Sequence, residues 1–175
     1  MRRILIEEEK INPAECLYGF PWHHDATCYN FKRPKESVTA SEIGEIKNKD
    51  DIETLVIGCD LSDYGFIKDM VGLRQLYIYS GSNIHNLDFV RNLDKLSQLY
   101  ITNSHVESLE PVVELIKVRK ELFNSEEDIH KRLFMFIEGI CVDTDYELDC
   151  SSLAEFAGFV SEIIINRKRI RKKHG

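Results

Sequence analysis

The same spacing of apolar residues occurs three times in the middle of this chain. Each copy places apolar residues at its first, fourth and sixth positions, and the copies start at Ile52, Leu73 and Leu96. A motif that returns about every 20 residues predicts units that stack side by side, because a single unit cannot bury its own apolar row. The chain is therefore constrained to a fold that repeats one strand-containing unit.

The residues that follow each motif continue the pattern. Apolar side chains recur at every third position, as expected for a helical return leg, and the copies differ in length only in the turn that precedes this leg. A surface turn tolerates such variation, whereas a one-residue slip within the strand would turn its apolar face outward. The return-leg residues are Leu61, Tyr64, Ile67 and Met70, then Ile84, Leu87, Val90 and Leu93, then Val106, Leu109, Val112 and Leu115.

This combination resembles the leucine-rich repeats of the internalin-like bacterial class, whose units join a short strand to a short return leg. The resemblance covers about residues 52–118 and implies a curved parallel sheet of about four strands that is used for protein binding. Asn83 and Asn103 stand near the turn position where the family has asparagine, whereas Cys59 and Asp60 occupy the first turn.

The remainder of the chain is assigned to the two ends of the stack. A solenoid exposes an apolar cross-section at each end, and atypical terminal units cover it. Residues 1–51 are predicted to be an irregular N-terminal cap with a degenerate repeat, residues 52–118 the three repeats, and residues 119–175 an α-β-α cap with a basic tail. The predicted fold class is α/β, a short leucine-rich repeat solenoid with a helical C-terminal cap. The degenerate repeat keeps the period-three spacing at Ala40, Ile43, Ile46 and Ile52.

Within the C-terminal cap the sequence predicts two helices on either side of a strand. Ser125 with Asp128, and Ser152 with Glu155, have the spacing of capping boxes at helix starts. Between them, apolar and acidic residues alternate over residues 140–149, which is typical of a strand with one solvated face. The apolar stripes of the two helices are Ile129, Leu133, Phe136, Ile137 and Ile140, and then Leu153, Phe156, Ala157, Val160, Ile163 and Ile164.

The outward positions of the repeat strands are the clearest functional clue. Side chains alternate along a strand, so the residues between the inward Leu and Ile face away from the core. Stacking brings the glutamines and the tyrosines of adjacent units together in a strip without charge. Tyrosine suits recognition because it buries a large area at small entropic cost and keeps a polar group. The predicted partner-binding residues are Val56, Gln75, Tyr77, Tyr79, Gln98, Tyr100 and Thr102.

This strip is too small to form a stable interface by itself. Four strands about 4.8 Å apart offer roughly 300 Å² of surface, whereas a standard interface uses about 800 Å² per partner. A stable partner is therefore expected also to contact the turns after the strands, such as 80–83 or 103–105, or the caps, and binding is otherwise transient. The sequence predicts a module for protein–protein interaction, and stabilisation of the sheet by cross-strand tyrosine pairs is the alternative role of the strip.

Two further clusters raise the alternative of an enzyme or metal-binding protein on a repeat scaffold. Cys16, His23, His24 and Cys28 are residue types that bind zinc, but their spacing differs from that of zinc knuckles. The acidic segment 143–149 lacks the glycine of a calcium loop, since Leu148 stands at that position. No nucleophile elbow or glycine-rich phosphate loop occurs in the sequence. We therefore predict no enzymatic activity, no catalytic or metal-ligating residue and no cofactor.

Charge and cysteine content limit the partners and the compartment. The chain of 175 residues has a net charge of −7, although its last ten residues are strongly basic. An acidic body repels nucleic acid, so only the tail suits such a partner, while the open edge of the sheet permits self-association. The chain has five cysteines, an odd number. No apolar run has the length of a signal peptide core or a membrane span. The predicted location is the cytoplasm.

Overall fold

A computed structural model describes residues 1–13, 33–133 and 135–171 of the chain. Within these ranges one sheet contains eight strands: β1 (Arg2–Glu7), β2 (Glu36–Thr39), β3 (Ile52–Ile57), β4 (Gln75–Ile78), β5 (Gln98–Ser104), β6 (Gly139–Thr144), β7 (Ile163–Ile165) and β8 (Lys168–Arg169). Their order in space is β2-β1-β3-β4-β5-β6-β7-β8. Every pair is parallel except β7 with β8, which is antiparallel. The fold is thus α/β with an open, mostly parallel sheet, and it has eight described strands where the sequence predicts about four.

The helices are few and mostly short. They are the 3₁₀ helices Ala40–Glu45, Lys49–Asp51, Gly65–Asp69 and Asp88–Val90, and the α-helices α1 (Glu110–Ser125), α2 (Ile129–Leu133) and α3 (Ser151–Ala154). A 3₁₀ helix follows β3, another follows β4, and α1 follows β5, so each repeat strand has a helical return leg as its spacing predicts. None of the helices in the described ranges has the length and apolarity needed to cross a membrane.

The repeat strands align in the register that the motif predicts. Two ladders of apolar side chains cross β3, β4 and β5, and none of these side chains is more than 1 % exposed. Together with the return legs they form the main hydrophobic core on one face of the sheet. Burial of these rows supplies most of the driving force for stacking, because no unit can cover its own apolar side. The ladders are Leu55, Leu76 and Leu99, and Ile57, Ile78 and Ile101.

The first strand of the chain is inserted out of sequence order. β1 pairs with β3 on one side and with β2 on the other. Its residues Ile4, Leu5 and Ile6 are fully buried, as expected for an inner strand of a parallel sheet that is covered on both faces. At its start, Arg2 forms an ion pair with Glu36 at 2.7 Å, which ties β1 to the edge strand β2.

The predicted degenerate repeat ahead of the three copies joins the core. Ile46 and Ile52 are buried, and Ala40 and Ile43 pack against the main core from the 3₁₀ helix Ala40–Glu45. The period-three spacing therefore identifies positions that contact the core, two of them buried and two partly buried. Residues 14–32 of the predicted N-terminal cap lie outside the described residues.

The first of the two predicted C-terminal helices is wrong in its position and length. Ser125 ends α1 instead of starting a helix, and the helix at the predicted site is α2, which has only 5 residues. Ile129 is exposed, whereas Ile140 lies in β6. The reason is that the third return leg continues as α1, with a proline at its start where the missing N–H costs nothing.

The second predicted helix is also wrong. Its capping-box serine lies in α3, a helix of 4 residues, and the isoleucines at its far end form β7. Three consecutive β-branched residues favour a strand, and pairing with β6 lets Ile163 and Ile165 enter the core. The predicted strand between the helices is confirmed only over residues 140–144, which lie in β6. The acidic outer face does not extend along it, because Cys141 is buried and residues 145–149 follow the end of the strand.

Candidate functional site

The predicted partner-binding residues lie on the face of the sheet opposite the main core, which we call the second face. Gln75 is paired with Gln98, and Tyr77 with Tyr100, in adjacent strands. The alternation along each strand thus places these side chains together as the sequence predicts. The apolar cluster on the second face comprises Leu5, Val56, Tyr77, Tyr100 and Cys141, with Tyr79 and Ile164 packed against it.

The second face is nevertheless not an exposed strip. Tyr77 is 0 % exposed, Tyr100 is 8 % exposed, and Val56, Gln75 and Gln98 are also buried. The prediction of exposed strand tyrosines is therefore wrong for Tyr77 and Tyr100. Strands of a parallel sheet are commonly covered on both faces, and alternation along a strand tells only which face a side chain belongs to. The remaining predicted residues, Tyr79 and Thr102, are partly exposed at the ends of their strands.

Polar side chains on the second face bond to one another across the strands. The Thr54 hydroxyl donates to the Gln75 side-chain oxygen at 3.1 Å. The Tyr77 hydroxyl donates to the side-chain oxygen of Gln98, whose amide group donates to the carboxylate of Glu138. Buried polar groups in proteins are normally hydrogen-bonded, because an unpaired buried polar group costs free energy. The amides that the sequence suggests for recognition are thus engaged within the sheet.

Two titratable side chains of this face, Tyr100 and Cys141, stay protonated at neutral pH. Burial raises the pKa of Tyr100 to about 12 and that of the Cys141 thiol to about 12. The ring of Tyr100 lies 6.3 Å from that of Tyr77 and 5.4 Å from that of Tyr79, centroid to centroid. A thiol that stays protonated at neutral pH is a poor nucleophile. The second face is therefore a packed layer of mostly buried side chains.

The exposed part of the predicted surface is formed by the turns after the strands. Parallel strands all end at the same edge of a sheet, so these turns are neighbours in space. We define this turn edge as residues 58–63, 79–86, 102–107 and 144–147. It contains the two turns that the sequence predicts as additional contacts, and many of its side chains are exposed, among them Asn83, His85, Asn86, Asn103, Asp145 and Tyr146.

Side-chain hydrogen bonds hold neighbouring turns in place. The amide of Asn83 donates to the Leu61 carbonyl at 3.0 Å, and the amide of Asn103 donates to the Tyr79 carbonyl at 3.1 Å. Asn103 has a φ of 51°, a left-handed conformation that asparagine tolerates better than most residues. The Thr102 hydroxyl donates to the same Tyr79 carbonyl at 2.9 Å. Hydrogen bonds within the chain thus preorganise the turn edge in the absence of a partner.

A cavity of about 320 Å³ lies beside the turn edge, between the segments that follow β3 and β4. Tyr64 shapes it: its hydroxyl donates to the Ser80 carbonyl at 2.8 Å, and its ring stacks against Phe89 at 6.4 Å. Burial raises the pKa of Tyr64 to about 12, so this hydroxyl remains a donor at neutral pH. The polar lining residues include Asp63, Lys68, Asn83, His85, Asn86 and Asp88.

Carboxylates dominate the charge of the turn edge. Its four segments contain Asp60, Asp63, Glu107, Asp145 and Glu147 but no lysine or arginine. The two histidines of the edge stack on each other with ring centroids 5.6 Å apart, and Nδ1 of His105 lies 3.2 Å from a carboxylate oxygen of Asp145. The arrangement can accept hydrogen bonds and attract cationic groups.

The metal and calcium alternatives find no support where the structure describes the chain. Across residues 1–13, 33–133 and 135–171 there is no group of three or more His, Cys, Asp and Glu side chains arranged to hold a metal ion. In the acidic segment 143–149, Asp143 lies 3.4 Å from Arg167 in an ion pair. The other candidate ligands, Cys16, His23, His24 and Cys28, lie outside the described residues.

The first residues of the basic tail form a reverse turn and a short strand. β7 turns back through Asn166 and Arg167, both with positive φ, into the short strand β8. Arg169 in β8 forms an ion pair with the buried Glu162. Part of the positive charge that the sequence offers to nucleic acid is therefore paired with acids of the same chain, while residues 172–175 lie outside the described residues.

No family model, curated protein or solved structure matches this chain.

The turn-edge cavity was not predicted from the sequence. Its walls come from residues that are separate in the chain and polar in character, such as Asp63 and Asn86. A sequence signal does exist, because these polar residues interrupt the apolar return legs next to the turns. The motif is regular in the strands and irregular in the turns, so the repeat pattern predicts the strand surface but not the turn surface.

Proposed function

We propose that this chain is a leucine-rich repeat module that binds another protein through its turn edge. The repeat assignment is supported by the two aligned apolar ladders and by the helical return leg after each repeat strand. Units of this kind place strands on one side and return legs on the other, and their turns project at the edge. The proposal retains the predicted class of function but moves the contact from the strand face to the turns.

The observation that supports this location is the contrast in accessibility. The central tyrosine of the strand face, Tyr77, is fully buried, whereas the neighbouring turns expose polar side chains beside a cavity. A preorganised surface binds at lower entropic cost than one that must become ordered. The side-chain bonds from Asn83 and Asn103 to adjacent turns supply that order.

The partner surface that fits is basic or neutral and rich in hydrogen-bond donors. The turn edge has five carboxylate side chains and no lysine or arginine. Complementary charge steers association and suppresses wrong partners. A cytoplasmic partner is proposed as well, because Cys59, Cys141 and Cys150 are free thiols, a state that persists in reducing compartments.

The experiment is affinity capture from a lysate of the source organism with the full chain as bait. His85→Ala combined with Asn86→Ala removes two exposed side chains from the cavity at the turn edge. We expect the amount of the captured protein to fall by at least about tenfold, as truncation of central contact residues does. The recovered protein is identified by mass spectrometry and tested for binding with purified components.

The matched control is Lys117→Ala combined with Glu121→Ala, which removes two exposed side chains from α1. This variant should capture the partner as well as the native chain does. Equal capture by the turn-edge variant would refute the proposed surface, and so would equal loss in both variants. Increasing salt should weaken the specific capture, because charges at an exposed edge are screened.

A further inference from the structure

A second cavity lies at the opposite edge of the sheet, where β4 and β5 begin. Its volume is about 260 Å³, and it is lined by the segment before β4, the segment before β5, α1, α2 and the residue Met135. Four of its lining side chains are positively charged, whereas only Asp94 is negatively charged. The positive side chains are Arg74, Lys95, Arg119 and Lys131.

This concentration of positive charge is unusual for a chain whose net charge is −7. Elsewhere in the molecule, cations such as Arg2, Lys49 and Arg91 form ion pairs with carboxylates. Among the described residues, neither Arg74 nor Lys131 forms an ion pair. Positive groups that converge without enough acids to neutralise them attract an anion from solution.

One wall of the cavity is built around a buried arginine. Arg119 is 2 % exposed, and its guanidinium donates to the Met135 carbonyl at 3.0 Å and to the Leu96 carbonyl at 2.5 Å. These bonds fix α1 against the segment before β5 and the segment after α2. The guanidinium is therefore a permanent positive charge in a low-dielectric position, where its field is screened less than at the surface.

A second positive charge acts on this buried arginine. Burial, with a smaller contribution from the positive charge of Arg74, lowers the pKa of Arg119 to about 10, while Asp94 acts in the opposite direction. The side chain still carries its charge at neutral pH. A bound anion would offset both the repulsion between Arg74 and Arg119 and part of the cost of burial.

We propose that this cavity binds the phosphate group of a small phosphomonoester. Arg74 and Lys131 contact the phosphate oxygens, and Arg119 supplies a fixed positive charge behind them. A doubly charged phosphate matches several converging cations better than a single carboxylate does, and arginine presents its donors in a planar fork that suits phosphate. Leu122 and Met135 form an apolar wall for the organic part of the ligand. The volume is at the small end of ligand pockets, which limits the ligand to a compact molecule.

The test is a calorimetric titration of the full chain with two probes, inorganic phosphate and phenyl phosphate, in a buffer of low ionic strength. We expect both to bind, with a dissociation constant of about 1 mM or below for phenyl phosphate. Arg74→Gln and Lys131→Gln should each weaken binding by at least about fivefold, since each removes one charge-assisted contact. Circular dichroism shows whether each variant is folded.

Lys117→Gln is the matched control, because it removes one exposed positive charge from the same helix as Arg119 but away from the cavity. It should bind phenyl phosphate as tightly as the native chain. The proposal is overturned if neither probe binds at a probe concentration of about ten times the expected dissociation constant. It is also overturned if Lys117→Gln weakens binding as much as Arg74→Gln. Binding of inorganic phosphate as tight as that of phenyl phosphate would refute the role of Leu122 and Met135.

Discussion

The two faces of the repeat sheet are equally buried but differ in what they bury. On the main core face, Leu76 sits between two other leucines and is fully buried. On the second face, the neighbouring Tyr77 is also fully buried, yet its hydroxyl donates to Gln98 within a chain of polar groups. The first face gains free energy from apolar area, whereas the second must also keep its donors and acceptors paired. Burial alone therefore does not indicate how a face will respond to substitution.

The largest change in the free energy of unfolding is expected for a substitution on the main core face. Leu76→Ala removes a fully buried side chain from the centre of an apolar ladder. We expect the free energy of unfolding to fall by about 2 to 5 kcal/mol, because the cavity adds to the lost transfer energy. Urea denaturation followed by circular dichroism measures this change. A loss below about 1 kcal/mol would mean that the ladder is loosely packed.

A smaller effect is expected on the second face when only a polar group is removed. Tyr77→Phe keeps the ring and deletes the hydroxyl that donates to Gln98. We expect a loss of about 1 to 3 kcal/mol, because the Gln98 side-chain oxygen stays buried without this donor. Val56→Ala removes only apolar groups from the same face, so its urea midpoint is the reference with which the midpoint of Tyr77→Phe is compared. If Tyr77→Phe is neutral, the second face behaves as a simple apolar layer and the contrast between the faces fails.

The stability of the protein is expected to depend on pH through buried groups of the second face. The pKa values of Tyr100 and Cys141 on the second face are each raised to about 12 by burial, and that of Tyr64 beside the turn edge is raised to the same value. The unfolded chain releases these protons at lower pH than the native protein, so stability is full below about pH 9 and falls as the pH rises towards about 12. The urea midpoint should decline over this window. Cys141→Ala should reduce the slope, and an unchanged slope would contradict the burial of this thiol.

The smallest effect is expected at the turn edge. His85→Ala with Asn86→Ala changes exposed side chains that lie outside both buried faces. The free energy of unfolding should fall by no more than about 1 kcal/mol, because the variant loses only the exposed hydrogen bond from the Asp88 N–H to the Asn86 side-chain oxygen and the stacking of His85 on His105. Thermal denaturation of the variant and of the native chain gives the comparison. A larger loss would show that the turn edge has a structural role, and capture experiments with this variant would then be uninformative about binding.

The repeated motif predicted much of the architecture because its two periods are local properties. Alternation in the strands assigned Leu55 and Val56 to opposite faces, and the period of three assigned Ile67 and Leu87 to the core. The pairing of Tyr77 with Tyr100 follows from equal spacing in successive units. The spacing fails where units are irregular: residues 153–164 have helical periodicity, but Ile163 joins β7 because β6 is available as a partner.

The candidate site was predicted only in part. The sequence predicts that a partner also contacts turns such as 80–83 or 103–105, and both lie in the turn edge. The main part of the predicted strip was not accessible, because accessibility depends on what covers a face and not on its polarity. The cavity with Arg119 was missed entirely, since its positive side chains are distant in sequence and meet only when α1 and α2 pack beside the strands.

The sequence by itself determined the repeat, the parallel register of β3, β4 and β5 and the face to which each strand residue belongs. These properties follow from spacing along the chain, which sets the direction of a side chain once the backbone is extended or helical. The tertiary structure decided the insertion of β1, the burial of the second face, and the meeting of Arg74 with Arg119 at one cavity. Such properties depend on contacts between segments that are far apart in sequence. A local sequence pattern does not show which distant segments will be in contact.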